Sequence, residues 1–181
     1  MKRPLCLVLM PFGKKSSNSG ELMINFDAIY RDLVAPAIIE SGLEPIRADE
    51  EMAGGIIHKT LFERLILCEF AVVDLSTVNA NICYDLGVRH AVRPWSTILL
   101  FAKGSGLLPF DVAPLRPVIY NLNEEGLPRD IEVKKVELVK RLSYEKENLG
   151  SDSLVDSPIF QLVEGVPDFD HYKKDVFPER L

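Results

Sequence analysis

Apolar residues in this chain fall into short unbroken runs, and the stretches between the runs carry a helical period. Leu5–Met10, Phe70–Val73 and Ser96–Ala102 are four to seven residues long, the length of strands covered on both faces. Weaker runs at Leu43–Ala48 and Val118–Leu122 predict two more strands. Phe26, Ile29, Tyr30, Leu33, Val34, Ala37 and Ile38 recur at helical spacing, with Asn25 placed to cap a helix and Gly42 to stop it. Pro36 lies inside that helix and predicts a bend or a later start, because its ring removes a hydrogen bond and crowds the carbonyl four residues back. A second helix over 56–68 shows an apolar face at Ile57, Leu61, Leu65 and Cys68. A third begins near Asn79 or Asn81, turns Ile82, Leu86 and Ala91 toward the sheet, and breaks at Pro94. Along Ile131 to Asn148 apolar residues alternate with lysines and glutamates, the pattern of a helix with a solvated face.

Strand and helix thus alternate, which predicts an α/β fold: a doubly wound, mainly parallel five-stranded sheet of flavodoxin-like order 2-1-3-4-5, with helices on both faces. Residues 1–150 form the α/β domain. Residues 151–181 read as a C-terminal tail or connector that packs on it through Ile159, Phe160, Leu162, Val163, Phe169, Tyr172 and Phe177.

Composition narrows the function classes. At 181 residues and 47% apolar content the chain suits one domain with an ordinary core. A formal charge of −6 gives no overall basic footprint, which argues against nucleic acid as a partner. Leu5–Met10 is too short for a signal sequence or a span, and no later run reaches membrane length. Cys6, Cys68 and Cys83 lack metal-ligand spacing and read as reduced thiols of a cytoplasmic protein, with no metal and no cofactor expected.

The stretch Glu69–Ala91, EFAVVDLSTVNANICYDLGVRHA, concentrates the chemistry. A buried strand ends at Asp74, and the carboxyl edge of a parallel sheet is where ligands bind. Ser, Thr and Asn follow, then a helix on which Asn81, Asp85 and Arg89 recur every four residues. Asp85 and Arg89 are explained equally by a surface ion pair worth about 0.3–0.5 kcal/mol. The Gly, Ser and Lys content of Pro11–Gly20 suits a loop wrapping a phosphate or sugar, or a mobile polar loop; it has neither P-loop nor dinucleotide-fold spacing. Further charges end the second strand at Arg47-Ala48-Asp49, and His58 near the start of the second helix reads as a ligand residue or an ordinary first-turn residue.

A first strand ending in MPFG, then RADEE, GIIHKTLFERL, CEFAVVDLSTVNANICYDLGVRHA, PFDVAPLR and IYNL resemble the nucleoside 2-deoxyribosyltransferase-like proteins, within the wider TIR-like superfamily. The closer resemblance is to a bacterial branch in which this domain precedes a tetratricopeptide-type, TRAFs-binding-like helical region. The resemblance implies a nucleoside, nucleotide or NAD-like ligand and a carboxylate that attacks the anomeric carbon as the base leaves. The matching residue is Asp85, in YDLG, where the family carries glutamate. It also implies Pro11, Phe12 and Gly13 beside the base or sugar, Asp74 hydrogen-bonding the base or orienting the site, and Asn79 and Asn81 near the ribose. Asp49 and Arg89 join the expected binding set, Arg89 on spacing alone. Three functions fit: an enzyme cleaving or transferring an N-glycosidic bond through Asp85; a nucleotide-sensing regulatory module of a larger signalling or defence protein; and a self-associating scaffold with a vestigial pocket.

Overall fold

The computed structural model describes residues 3–48, 57–77, 79–149 and 157–165. Along the chain run β1 (Leu5–Leu9), β2 (Lys14–Ser16), β3 (Met23–Asn25), α1 (Phe26–Ile29), a π-helical segment (Tyr30–Val34), α2 (Ala35–Glu40) and β4 (Glu44–Arg47). There follow α3 (Ile57–Leu67), β5 (Phe70–Asp74), α4 (Ala80–Val92), β6 (Thr97–Ala102), a 3-10 turn (Ala113–Leu115), β7 (Val118–Leu122), β8 (Pro128–Arg129), α5 (Ile131–Glu147) and α6 (Pro158–Leu162).

The fold is α/β, on a mostly parallel six-stranded sheet ordered β4-β1-β5-β6-β7-β8. β8 alone runs antiparallel, pairing Asn121 with Arg129; a two-residue strand beginning at proline carries no periodicity that a sequence reading could detect. Side chains alternate across β1. Cys6 and Val8 join Phe26, Ile29, Leu33, Ile38, Leu138 and Leu142 in one core, so α1, α2 and α5 cover that face. Leu7 and Leu9 join Leu65, Ile82, Leu86, Leu99 and Phe101 in the other, under α3 and α4. Burial on both faces is why these strands read as unbroken apolar runs.

Asn25 caps α1, its Oδ1 accepting from the Ala28 N–H at 3.2 Å. The strain at Pro36 is relieved one turn upstream. There the Ala35 N–H donates to the Tyr30 carbonyl, five residues back, and this wider turn lets the helix continue past a proline. The polar stretch 11–20 is not all loop: Lys15 pairs with Ile24 in the antiparallel hairpin β2–β3. Ser17 closes the hairpin, its N–H donating to Leu22 O at 2.8 Å and its hydroxyl accepting from Leu22 N at 3.2 Å. Turn chemistry rather than alternation makes this pair of strands.

Helix α4 runs from the carboxyl edge of the sheet to the amino edge, and its buried set differs from the expected one. Ala91 is exposed, while Arg89 is 0% exposed. Arg89 does not belong to a binding row. Its Nη1 donates to the carbonyls of Leu65, at 3.0 Å, and Cys68, its Nη2 to the carbonyl of Glu69 at 2.7 Å, and its Nε to Thr97 Oγ1 at 3.2 Å. Those groups gather where α3 ends and where β5 and β6 begin, at the edge opposite Asp74. A buried guanidinium is tolerated there because its planar fork meets several carbonyls at the end of α3 and just before β5.

His90 beside it is 4% exposed, and its Nε2 is buried without a hydrogen-bond partner. Burial, reinforced by the Arg89 charge, holds its pKa down at about 4. The unfolded chain therefore takes up a proton near pH 6.5 that the folded chain refuses until about pH 4. Stability is full above that window and falls as pH is lowered through it, by about 3 kcal/mol at most. Urea titrations from pH 7 to 4 are expected to show a steeper loss in the wild type than in His90→Phe; parallel profiles would refute the assignment. Arg89→Lys, which keeps the charge but not the fork, is expected to cost about 3 kcal/mol. A loss below about 1 kcal/mol in the same assay would show that the knot is dispensable.

Candidate functional site

The carboxyl edge of the sheet is divided in two. Over β6 and β7 it is roofed by the β2–β3 hairpin: Ser19 N–H donates to Ser105 O at 3.3 Å and Asn25 N–H to Gly126 O at 3.0 Å. The roof sits so close that a Cβ on Gly126 would lie 1.7 Å from the Met23 carbonyl oxygen, so glycine is required there. Among the described residues, the other part of the edge, beyond β1 and β5, is bordered by residues 11–13, residues 75–77 and the first turns of α4.

At the end of β5 lies Asp74, which is turned into the interior rather than toward the open edge. It is 1% exposed, and both of its oxygens are occupied by the protein. Oδ1 accepts from the Ser76 N–H at 2.9 Å and the Ser76 hydroxyl at 2.5 Å, and Oδ2 accepts from the Tyr120 hydroxyl at 2.7 Å. Ser76 Oγ in turn accepts from Ala102 N–H at 2.8 Å. Three adjacent strands are thereby tied at their carboxyl ends. Burial pushes the Asp74 pKa up, against the hydrogen bonds from Ser76 and Tyr120, which favour the carboxylate. Burial first, and then the neighbouring carboxylate, push the Tyr120 hydroxyl well above its ordinary value.

At the end of β1 a second polar set forms. Pro11 is buried, and its carbonyl accepts from Arg47 Nη2 at 3.2 Å. The same nitrogen meets Asp27 Oδ1 at 2.7 Å, and that oxygen also accepts from the Gly13 N–H at 3.0 Å. The Gly13 N–H, and then the Arg47 guanidinium, hold the Asp27 carboxyl below the usual range. Gly13 takes φ of +68°, open to glycine at no steric cost. Arg47 also stacks its guanidinium carbon 5.1 Å from the centre of the Tyr30 ring. Held by this frame, Phe12 projects outward at 51% exposure, with Lys15 Nζ 5.1 Å from the centre of its ring.

On α4, Asn79 is the cap: its Oδ1 accepts from the Ile82 N–H at 3.0 Å. Asn81 is exposed, and Asp85 is partly buried. Ile82 and Leu86 face the sheet, and Tyr84 meets Phe62 of α3 edge-on with ring centres 6.3 Å apart. At 100° per residue, position 85 falls on the arc between these two faces, on the side of α4 toward α3. It lies about 9 Å down the helix axis from the cap, its side chain tilting back toward the helix start.

The structure therefore gathers Pro11, Phe12 and Gly13 at the end of β1, and Asn79, Asn81 and Asp85 along the first half of α4. It takes Asp74 into the interior and Arg89 to the far edge. Asp49 and the His58 side chain lie outside the described residues. Four residues that shape this edge were absent from the sequence-based set: Asp27, Arg47, Ser76 and Tyr120. Arg47, charged at a strand end, and Ser76, in the polar stretch two residues after Asp74, gave a local signal; Asp27 and Tyr120 acquire their roles by meeting residues 14 to 46 positions away. Among the described residues no cluster of His, Cys, Asp or Glu could hold a metal ion, and no helix is long and apolar enough to cross a membrane.

No family model matches the chain, and no curated protein matches it. The site thus rests on its own geometry. Tyr120→Phe deletes the donor to Asp74 Oδ2 while keeping the ring, and is expected to cost about 1–3 kcal/mol in denaturant unfolding. An unchanged midpoint would mean that the strand-end tie contributes nothing.

Proposed function

We propose that this chain is a nucleoside- or nucleotide-binding domain that cleaves or transfers an N-glycosidic bond, with Asp85 as the reactive carboxylate. The observation that carries the reading is the part of the carboxyl edge outside the hairpin roof where, among the described residues, an outward aromatic ring at Phe12 and the polar start of α4 flank adjacent strand ends. An exposed ring suits stacking on a base, and a carboxylate suits an oxocarbenium-like sugar. In this mechanism Asp85 attacks the anomeric carbon as the bond to the base breaks, and the bonding electrons leave with the base, which takes a proton. Water, or a second base, then displaces the carboxylate and releases the sugar. The resemblance to nucleoside 2-deoxyribosyltransferase-like and TIR-like proteins supports the same assignment, as does reading the five parallel strands as a flavodoxin-like core to which the hairpin and β8 are added.

A second reading, nucleotide sensing without turnover in a larger signalling or defence protein, is favoured by the side chain itself. Aspartate is one methylene shorter than the glutamate of the resembling proteins, and a misplacement of about 1 Å costs on the order of a hundredfold in rate. Incubating concentrated protein with nucleosides, nucleotides and NAD, and following free base by chromatography, separates the two. Slow base release that disappears in Asp85→Asn and rises in Asp85→Glu is the expected result. A ligand that raises the melting temperature but stays intact would instead favour sensing, and a panel that neither stabilises nor reacts would overturn both. Phe12→Ala is expected to weaken binding of whichever ligand is found by about 1–3 kcal/mol, as loss of one base–aromatic stack does.

A further inference from the structure

The connection from β6 to β7 carries no helix beyond its short 3-10 turn, although a crossover between parallel strands usually supplies one to cover the sheet. Leu108, Val112 and Leu115 pack against the core on the α4 side, but they leave a groove of about 480 Å³ between this connection, α4 and α6. Leu75, Leu86, Val112 and Ile159 line it, with Cys83 and His90 the less apolar members of its α4 wall. Leu162 at 82% and Val163 at 55% exposure belong to that lining, and Leu107 at 89% and Phe110 at 90% exposure adjoin it in the chain, next to Leu108 and between Pro109 and Asp111.

These four side chains present roughly 500 Å² of surface, counting on the order of 150–200 Å² for each large one fully exposed. That lies at the upper end of what monomers leave in one patch. With the rest of the groove walls it supplies a large part of the ~800 Å² that each partner contributes to a standard interface. Charge points the same way. The chain carries −6, so two copies repel over most of their surfaces, yet 106–110 and 157–163 contain no charged residue, the neighbouring Asp111 placing a carboxylate in the groove lining. Two-fold pairing further requires one face to offer both halves of the fit. Here a projecting ring and an apolar hollow large enough for it lie side by side.

We infer that two copies of this chain pair through this face, Phe110 of each entering the groove of the other. The pairing leaves the Phe12 and Asp85 side of the molecule open and is independent of the glycosidic-bond reading. Sedimentation equilibrium of the full chain is expected to show a monomer–dimer equilibrium in the micromolar range. Because Leu107 and Phe110 are almost fully exposed, the double variant Leu107→Glu with Phe110→Glu is expected to keep the wild-type melting temperature of the monomer while weakening dimerisation by about tenfold or more. A photo-crosslinking phenylalanine analogue at position 110 is expected to give a covalent dimer with adducts on α4 or α6. A wild-type chain that stays monomeric at millimolar concentration would overturn the inference. So would a dimer that survives the double substitution, or crosslinks that map elsewhere.

Discussion

Everything at the carboxyl edge depends on how α4 is pinned, and the decisive interaction is the Arg89 guanidinium at the opposite end of that helix. Its donors reach the carbonyls of Leu65, Cys68 and Glu69 as well as the Thr97 hydroxyl, joining the end of α3 to the starts of β5 and β6. Buried carbonyls without partners are costly, and a buried cation without acceptors more so; together they satisfy one another. The result is a helix whose depth and rotation are fixed from its last turn. Its first turn, where Asn79 caps and where Asp85 follows, inherits that placement.

The other end is fixed by Asp74, and the two ends use the same logic with opposite charge. A carboxylate taken fully into the interior accepts from Ser76 and Tyr120, while Ser76 accepts from the backbone of β6. Partners drawn from three strands allow no single strand to slide without breaking the set. An acid at the ligand edge of a parallel sheet thus serves as a structural tie, and the proposed chemistry falls to residues outside that tie. Those are Phe12, held outward by the Arg47–Asp27–Gly13 frame, and the carboxylate at position 85. The site proposed there has a rigid wall, which is what positioning a small ligand requires.

The covered and uncovered parts of the surface follow from where the chain invested secondary structure. The hairpin after β1 is stitched to the loops after β6 and β7, and roofs one half of the edge. The β6–β7 connection, lacking a full helix, leaves one flank of α4 apolar and open. The first feature narrows where a ligand can sit, and the second supplies a face for association.

By itself the sequence determined the layered α/β plan: unbroken apolar runs mean strands covered on both faces, and the Asn25, Gly42 and Asn79 signals mark helix ends because capping is satisfied within a few residues. Pro36 announced a distortion, though not that a π turn would absorb it. What only the tertiary structure decided are the partners of buried polar groups. Asp74 and Arg89 both looked available at the level of spacing, and both are consumed by atoms far away in the chain: Tyr120 for the one, the ends of α3 and β5 for the other. Spacing along a helix gives the direction of a side chain but not the depth to which the helix sinks. Burial turns a charged residue from a ligand contact into a strut, and that depth is set by the whole sheet at once.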